Sequence, residues 1–590
     1  DSDINTSQPD RAIFPLEDLD GDNGFRINAI DDGDLTGHAV GTAGDFNGDG
    51  FDDFIVGAPE ADSEDRSSAG EAYVVYGSGN SLPATFDLET LNGTNGFRIG
   101  GLDSFSGFGE SVSSAGDING DGLDDLLIGA PFTEVDENLS AGTTFVVFGT
   151  ENTMPPSFDL NSLNGSNGFR VDGLNAFDFS GRSVSSAGDV NGDGFADIVI
   201  GADGADPLQR QEAGESYIIF GSSSGFSQSF QLDSLDGDNG FRVLGEQAGA
   251  LSGTSVAPAG DIDSDGLGEF LVGAHGNDMG TGSAYILFGR VGESFPESID
   301  MLEEGEFFGT TFDGFDEGSN FGFSLGSVGD FNGDGHYDLV IGAPGTQIDD
   351  QENAGIAYVV FGAPDDPGIT SPDDLDGTIG FKLAGIDQDD FAATSVSSAG
   401  DFNGDGFDDL LIGADAADPG GRDHAGEVYI VFGTDEQMPA TLNLDDLNGE
   451  NGLRLDGVES DDSTGWSAST AGDINGDGFS DIILGAPGHD EGTHPGKTHV
   501  VFGGDFSRDV TQTGTSNGDT LTATNAEDVI LPGRGDDTVE NIADGDVVYA
   551  AEGDDTILLT DLGFHRIDGG PGVDTLKLDT SDIALRLHDL

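Results

Sequence analysis

The chain has 590 residues, with 114 Asp and Glu against 18 Lys and Arg, for a formal charge of −96. That balance excludes a nucleic-acid binder, which needs cations to neutralise phosphates, and argues against docking on an anionic membrane surface. With no Cys there is neither disulfide nor thiolate site, no run of about 18 apolar residues is present to cross a bilayer, and so much like charge makes multivalent cations the first partner to seek.

Residues 1–13 read as an N-terminal tail, and a start without Met or signal peptide suits a mature form or an excised fragment. From residue 14 to 507 a unit of about 72 residues recurs. Its marker, Asp45-Phe-Asn-Gly-Asp-Gly-Phe-Asp-Asp53, returns with first residues Asp117, Asp189, Asp261, Asp330, Asp401 and Asp473. Each unit holds four short runs rich in β-branched and aromatic residues, bounded by Gly, Asn and Asp, which read as strands. We label them A (Ser-Val-x-x-Ala-Gly), B (Leu-Leu-Ile-Gly-Ala), C (Tyr-Val-Val-Phe) and D (Gly-Phe-Arg-Ile). The D position carries Phe25, Phe97, Phe169, Phe241, Phe381 and Leu453, but Thr310 in one copy.

Four antiparallel strands repeated seven times predict an all-β, seven-bladed β-propeller of four-stranded blades. An open solenoid is the alternative. However, the chain starts with a D-type run, Gly24 to Ile27, and has none after its last C run, Thr498 to Gly503. A ring in which the N-terminal strand completes blade 7 uses every piece, whereas an open stack leaves two unmatched ends.

The nonapeptide places oxygen ligands at positions 1, 3, 5 and 9, a position-7 carbonyl between them, and Gly at 6, as an EF-hand loop does in compressed form. The expected ligands are Asp45, Asn47, Asp49, Phe51 and Asp53; Asp117, Asn119, Asp121, Leu123 and Asp125; and Asp189, Asn191, Asp193, Phe195 and Asp197. The fourth loop offers Asp261, Asp263, Asp265, Leu267 and Glu269, with one carboxylate more than the others. The remaining three offer Asp330, Asn332, Asp334, His336 and Asp338; Asp401, Asn403, Asp405, Phe407 and Asp409; and Asp473, Asn475, Asp477, Phe479 and Asp481. Metal-free Asx-turns are the bland reading, since Asp, Asn and Gly favour turns anyway. Converging carboxylates are costly without a cation, and irregular all-oxygen loops suit Ca²⁺ better than Mg²⁺. About seven calcium ions are therefore expected in the propeller.

These motifs resemble the FG-GAP repeats of the integrin α-subunit propeller. Phe108-Gly109 and Phe321-Gly322 match the FG element, and Gly57-Ala-Pro59, Gly129-Ala-Pro131, Gly342-Ala-Pro344 and Gly485-Ala-Pro487 match GAP. The resemblance implies an extracellular interaction platform. In that family only some blades carry calcium loops, whereas all seven do here.

Residues 508–513 read as a linker, and from 514 to 580 the period falls to nine. Asp519, Asp528, Asp537, Asp546 and Asp555 form a ladder, each followed two residues later by an aliphatic residue, from Leu521 to Ile557. Gly533, Gly535 and Asp537, and again Gly570, Gly572 and Asp574, resemble the RTX nonapeptide, which implies a C-terminal parallel β-roll holding several more calcium ions. Arg534-Gly535-Asp536 spells an integrin-binding tripeptide but fits the same turn pattern. Residues 581–590 form a tail open to continuation into a longer protein.

RTX-like tails resemble those of bacterial proteins exported by type I secretion. The expectation is thus a secreted, calcium-binding adhesion or ligand-binding platform, monomeric, part of a larger bacterial surface protein and not an enzyme. A propeller-based hydrolase and a purely structural spacer are the alternatives. The partner is a surface glycan or protein, with neither nucleic acid nor membrane insertion. Strand order puts the A–B metal loops on one face and the variable B–C and D–A loops on the other, where specificity tends to sit. The cations Arg66, Arg182, Arg210 and Arg422 and the single Trp466 fall on that second face as candidate ligand contacts.

Overall fold

The computed structural model describes residues 13–504, apart from 22, 64–65, 81, 292–294, 303–308, 350, 364–371 and 489–495, and, within 512–578, the strands and some of the turns. Seven antiparallel sheets follow one another along the chain. In blade 1, A is Ala39–Gly44, B is Asp53–Ala58, C is Glu71–Val75 and D is Gly96–Gly100. The A strands touch one another in sequence around the centre, and that of blade 7, Ser467–Gly472, touches that of blade 1, so the ring is closed.

Closure uses the N-terminus, as the unmatched ends require. Gly24–Asn28 pairs antiparallel with Lys497–Val501, Phe25 opposite Val500, and supplies the D strand of blade 7. The open solenoid is thereby excluded. A second lace lies just upstream: Ile13–Pro15 runs parallel to Gly452–Asp456 at the outer edge of blade 6.

That second lace belongs to a pattern that four-stranded blades do not include. Six blades carry a short fifth strand, parallel to D and borrowed from the chain that leads into the next blade's D strand. Thr85–Asp87 edges blade 7, Ser157–Phe158 blade 1, Ser229–Gln231 blade 2, Ser298–Asp300 blade 3 and Thr441–Asn443 blade 5. Each strand therefore covers an otherwise bare edge and ties two blades together. Only blade 4 has four strands among the described residues.

B strands are buried along their whole length on both sides, as in Asp53–Ala58 and Asp125–Ala130. This explains their unbroken apolar runs, since alternation needs one wet face. The FG and GAP glycines pack against each other between blades. A Cβ on Gly57 would lie 2.1 Å from the Gly109 carbonyl oxygen, and Gly109 itself has φ +88°. No other residue fits there.

The C-terminal strands form two four-stranded parallel sheets. The first begins at Gln512–Thr513, inside the segment expected to be a linker. Thr520 pairs with Thr538 and Thr538 with Thr556, so partners are two nonapeptides apart. Ile530, Val539, Val548 and Ile557 are buried in one cluster, with Leu521 packed against it.

Phe25 anchors the closing strand. It is fully buried, and its ring lies 6.2 Å from Phe54 of blade 1, 6.2 Å from Phe86 on the borrowed strand and 5.9 Å from Phe502. Replacing Phe25→Ala empties a site shared by two blades. A loss of about 3 kcal/mol, read as a lower urea midpoint with an unchanged slope, is expected.

Candidate functional site

Each nonapeptide folds so that backbone N–H groups hold its carboxylates in place. In blade 1, Asp45 Oδ1 accepts from Gly48 and Asp49 at 2.7 and 3.0 Å, and its Oδ2 accepts from Gly50 at 3.1 Å. Asp49 accepts from Phe51 at 3.2 Å. Gly48 and Gly50 take φ +74° and +90°, which bends the chain back on itself. The position-9 residues Asp53, Asp125, Asp197, Glu269, Asp338, Asp409 and Asp481 are all essentially buried. Asn47 and Asn119 donate their amide N–H to Asp53 and Asp125 at 3.2 Å. A half-turn of that amide would present its oxygen to the same point.

The same loops also join the blades. Every position-9 carboxylate accepts from the glycine ending its own C strand, as Asp125 does from Gly149 at 2.8 Å and Glu269 from Gly289 at 3.1 Å. The next residue then donates to the position-2 carbonyl of the preceding blade's loop at all seven junctions. Thr150 reaches Phe46 at 2.9 Å and Ser78 reaches Ile474 at 2.7 Å, the latter across the closing seam. Position 8, not singled out in the sequence, adds a side-chain link where it is Asp. Asp52, Asp124 and Asp408 accept from the backbone of Asp473, Asp45 and Asp330 at 2.8, 3.1 and 2.8 Å. Its signal was the first Asp of the Asp-Asp pair in those three copies.

The electrostatics fit a hard cation. Burial, then repulsion from Asp121 and Asp117, pushes the Asp125 carboxyl up to about 8, against hydrogen bonds from Gly149 and Ile118 that lower it. Asp197, Glu269 and Asp338 are likewise pushed to about 8, and Asp53, Asp409 and Asp481 stand well above the usual carboxylate range. In blade 4, oxygens of Asp261, Asp263 and Asp265 lie within 4.8 Å of one another. An all-oxygen donor set whose charges raise one another's pKa matches what a divalent cation requires.

In the C-terminal sheets, Asp528, Asp537, Asp546 and Asp555 are buried, and the backbone of Asp528 and Asp537 donates to the carboxylates of Asp546 and Asp555 at 2.9 and 2.6 Å. Asp519, Gly533, Arg534, Gly535, Asp536, Gly570, Gly572 and Asp574 lie outside the described residues.

On the opposite face, D–A loops bond to the preceding blade's B–C loops: Phe105 donates to the Ser67 carbonyl at 3.1 Å and Phe177 to that of Leu139 at 2.9 Å. The candidate cations on this face are mostly engaged. Arg210 makes a bidentate pair with Asp300, both contacts 2.7 Å, and also bonds the Gly245 carbonyl, which gives it a bracing role between blade 3 and its borrowed strand. Arg422 lies 3.6 Å from Asp456. Arg66 sits in a turn whose backbone bonds to Ser63. Arg182 pairs with Glu110 at 3.1 Å, beside the Phe132 ring. Trp466 is 41% exposed, its ring 5.5 Å from that of His38. Two Arg on D strands are paired: Arg454 binds Asp456 at 2.7 Å and Arg242 binds Glu297 at 3.0 Å. Sequence reasoning missed the exposed Phe105, Phe132 and Phe177 on this face.

A closed ring of seven blades with an oxygen-lined loop in each defines a seven-bladed β-propeller. The FG-GAP repeat pattern matches residues 36–75, 108–146, 180–219, 321–360, 392–431 and 464–501, which are blades 1, 2, 3, 5, 6 and 7. Blade 4 has the departures Asp263, Glu269 and Thr310. Integrin alpha-5 of Xenopus laevis is 31% identical over 247 residues, 41% of this chain and 20% of that protein. Integrin alpha-4 of the same species is 33% identical over 171 residues, 29% of the chain and 14% of that protein. Phosphatidylinositol-glycan-specific phospholipase D of Bos taurus is 28% identical over 215 residues, 36% of the chain and 24% of that protein. The chain thus spans less than a quarter of each of these relatives.

The raised carboxylates give a pH test. Their folded pKa lies above the ordinary 3.8, so the metal-free fold holds protons that the unfolded chain releases. Stability in chelator should fall as pH rises from about 4 to about 8. Asp125→Asn should flatten part of that slope, as measured by urea midpoints across the pH series.

Proposed function

We propose that this protein is a calcium-stabilised extracellular platform for adhesion or ligand binding, forming part of a larger bacterial surface protein exported by type I secretion. The observation that carries the reading is the ring of seven oxygen-lined loops, hydrogen-bonded from blade to blade on one face. Ca²⁺ would be held by the carboxylates at positions 1, 5 and 9, the position-3 amide or carboxylate and the position-7 carbonyl. The ion would offset the mutual repulsion of those carboxylates and leave the opposite loops free to bind. The integrin relatives support extracellular ligand binding, and no described helix is long and apolar enough to cross a membrane.

The C-terminal sheets extend the same chemistry. Stacked pairs Asp528–Asp546 and Asp537–Asp555 support a calcium-binding roll of RTX type, since buried carboxylates about 4.8 Å apart need a counter-charge.

Metal analysis after dialysis should find about seven tightly held calcium ions in residues 14–507; two or fewer would overturn the reading. Circular dichroism of the whole chain under calcium titration should gain β signal that is lost when residues 512–578 are removed. A spectrum indifferent to chelator would show that the apolar row suffices alone. On a glycan and protein array, capture by the calcium-loaded chain that Trp466→Ala reduces supports the platform, and no capture at all leaves a spacer.

A further inference from the structure

On the B–C and D–A face, two exposed phenylalanines sit where the backbone disfavours them. Phe105 and Phe177 have φ +62° and +66°, and they are 68% and 56% exposed. The equivalent loop positions of the other blades are Gly33, Gly249, Gly318, Asp389 and Asp461, all left-handed too. Gly adopts that conformation freely and Asp tolerates it, whereas a bulky residue is strained there. Neither strain nor exposed apolar surface helps the fold, and their coincidence marks a contact surface.

Phe105 shares an open cleft of about 610 Å³ with Phe132 and Leu139. Asp103, Glu134, Asp136 and Glu137 line the same cleft, and no Lys, Arg or His does. These acids are dispersed and do not bring three oxygens within 4.8 Å of one another, as Asp261, Asp263 and Asp265 do in blade 4. The cleft thus combines dispersed negative charge with exposed rings. Phe132 already engages one cation, the guanidinium of Arg182, 5.9 Å from its ring centre.

We propose that this cleft binds a small quaternary ammonium cation of the choline class, its methyl groups against Phe105 and Phe132 and its charge balanced by the surrounding carboxylates. The ring faces attract the cation, and weak hydration lets it leave water more readily than a strongly hydrated ammonium such as that of lysine. The charge of −96 raises the local concentration of any cation at low salt. The inference rests on the platform reading for the face, and adds the ligand chemistry.

The test uses the full calcium-loaded chain, with binding of tetramethylammonium and choline followed by calorimetry and by methyl proton shifts. Saturable binding that weakens with salt is expected. The neutral isostere 3,3-dimethylbutan-1-ol should bind at least about tenfold more weakly, and Phe132→Ala should weaken tetramethylammonium on the order of fivefold. Phe105→Gly is the sharpest probe: relieved of strain, it should melt no lower than the parent and yet bind more weakly. Should Phe132→Ala fail to fold, the exposed Glu134→Gln is expected to weaken binding instead. Non-saturable uptake, equal binding of the neutral isostere, or full affinity in Phe105→Gly would overturn the proposal. Capture on the array without tetramethylammonium binding would sink this inference and leave the platform standing.

Discussion

The structure depends on one buried carboxylate per blade. Position 9 of each nonapeptide accepts the N–H of the glycine that ends the C strand of its own blade, and the residue after that glycine bonds to the neighbouring loop. Loop conformation, blade integrity and blade-to-blade joining therefore share the same few atoms. A carboxylate in that position is costly while ionised and uncompensated, because burial and two neighbouring carboxylates both oppose its charge. A cation at the loop would satisfy all three requirements together.

The two faces divide the labour. On the loop face, backbone N–H groups and carboxylates lock one another, and the seven copies differ little. On the opposite face the B–C and D–A loops are bonded pairwise, yet their side chains vary from blade to blade. There the chain tolerates strain at Phe105 and Phe177, exposes Trp466, and spends most of its scarce cations on internal pairs such as Arg210–Asp300.

Much of this was legible in the residues. The 72-residue period, the strand runs and the unmatched D-type run at Gly24 led directly to a closed ring of seven, because a buried strand and a tight acid-rich turn each impose residue types at fixed spacing. The borrowed strands were not legible. Ser157–Phe158 is two residues long, and its partner lies in a different repeat, so neither length nor period announces it. Position 8 was passed over because Asp52 beside Asp53 looks like one more ligand, whereas only the geometry shows it facing the preceding blade. The exposed phenylalanines escaped notice because 41 Phe in a β-rich chain suggest core, and what sets Phe105 apart, its φ angle and its exposure, appears only in the fold.

The N-terminal lacing constrains the order in which the molecule is made. Ile13–Pro15 and Gly24–Asn28 emerge from the ribosome long before Gly452–Asp456 and Lys497–Val501, the strands they must pair with. Until then neither can join its blade, although Gly24–Asn28 can already pair with Thr85–Asp87. Contacts between such distant parts of a chain carry a high closure entropy and form slowly. Blades in the middle of the sequence can assemble from local pairings, so the ring matures from its interior outward and shuts last at its first residues. A chain synthesised short of Val501 would thus present a crescent with two open rims, and only one that includes Lys497–Val501 can become a wheel.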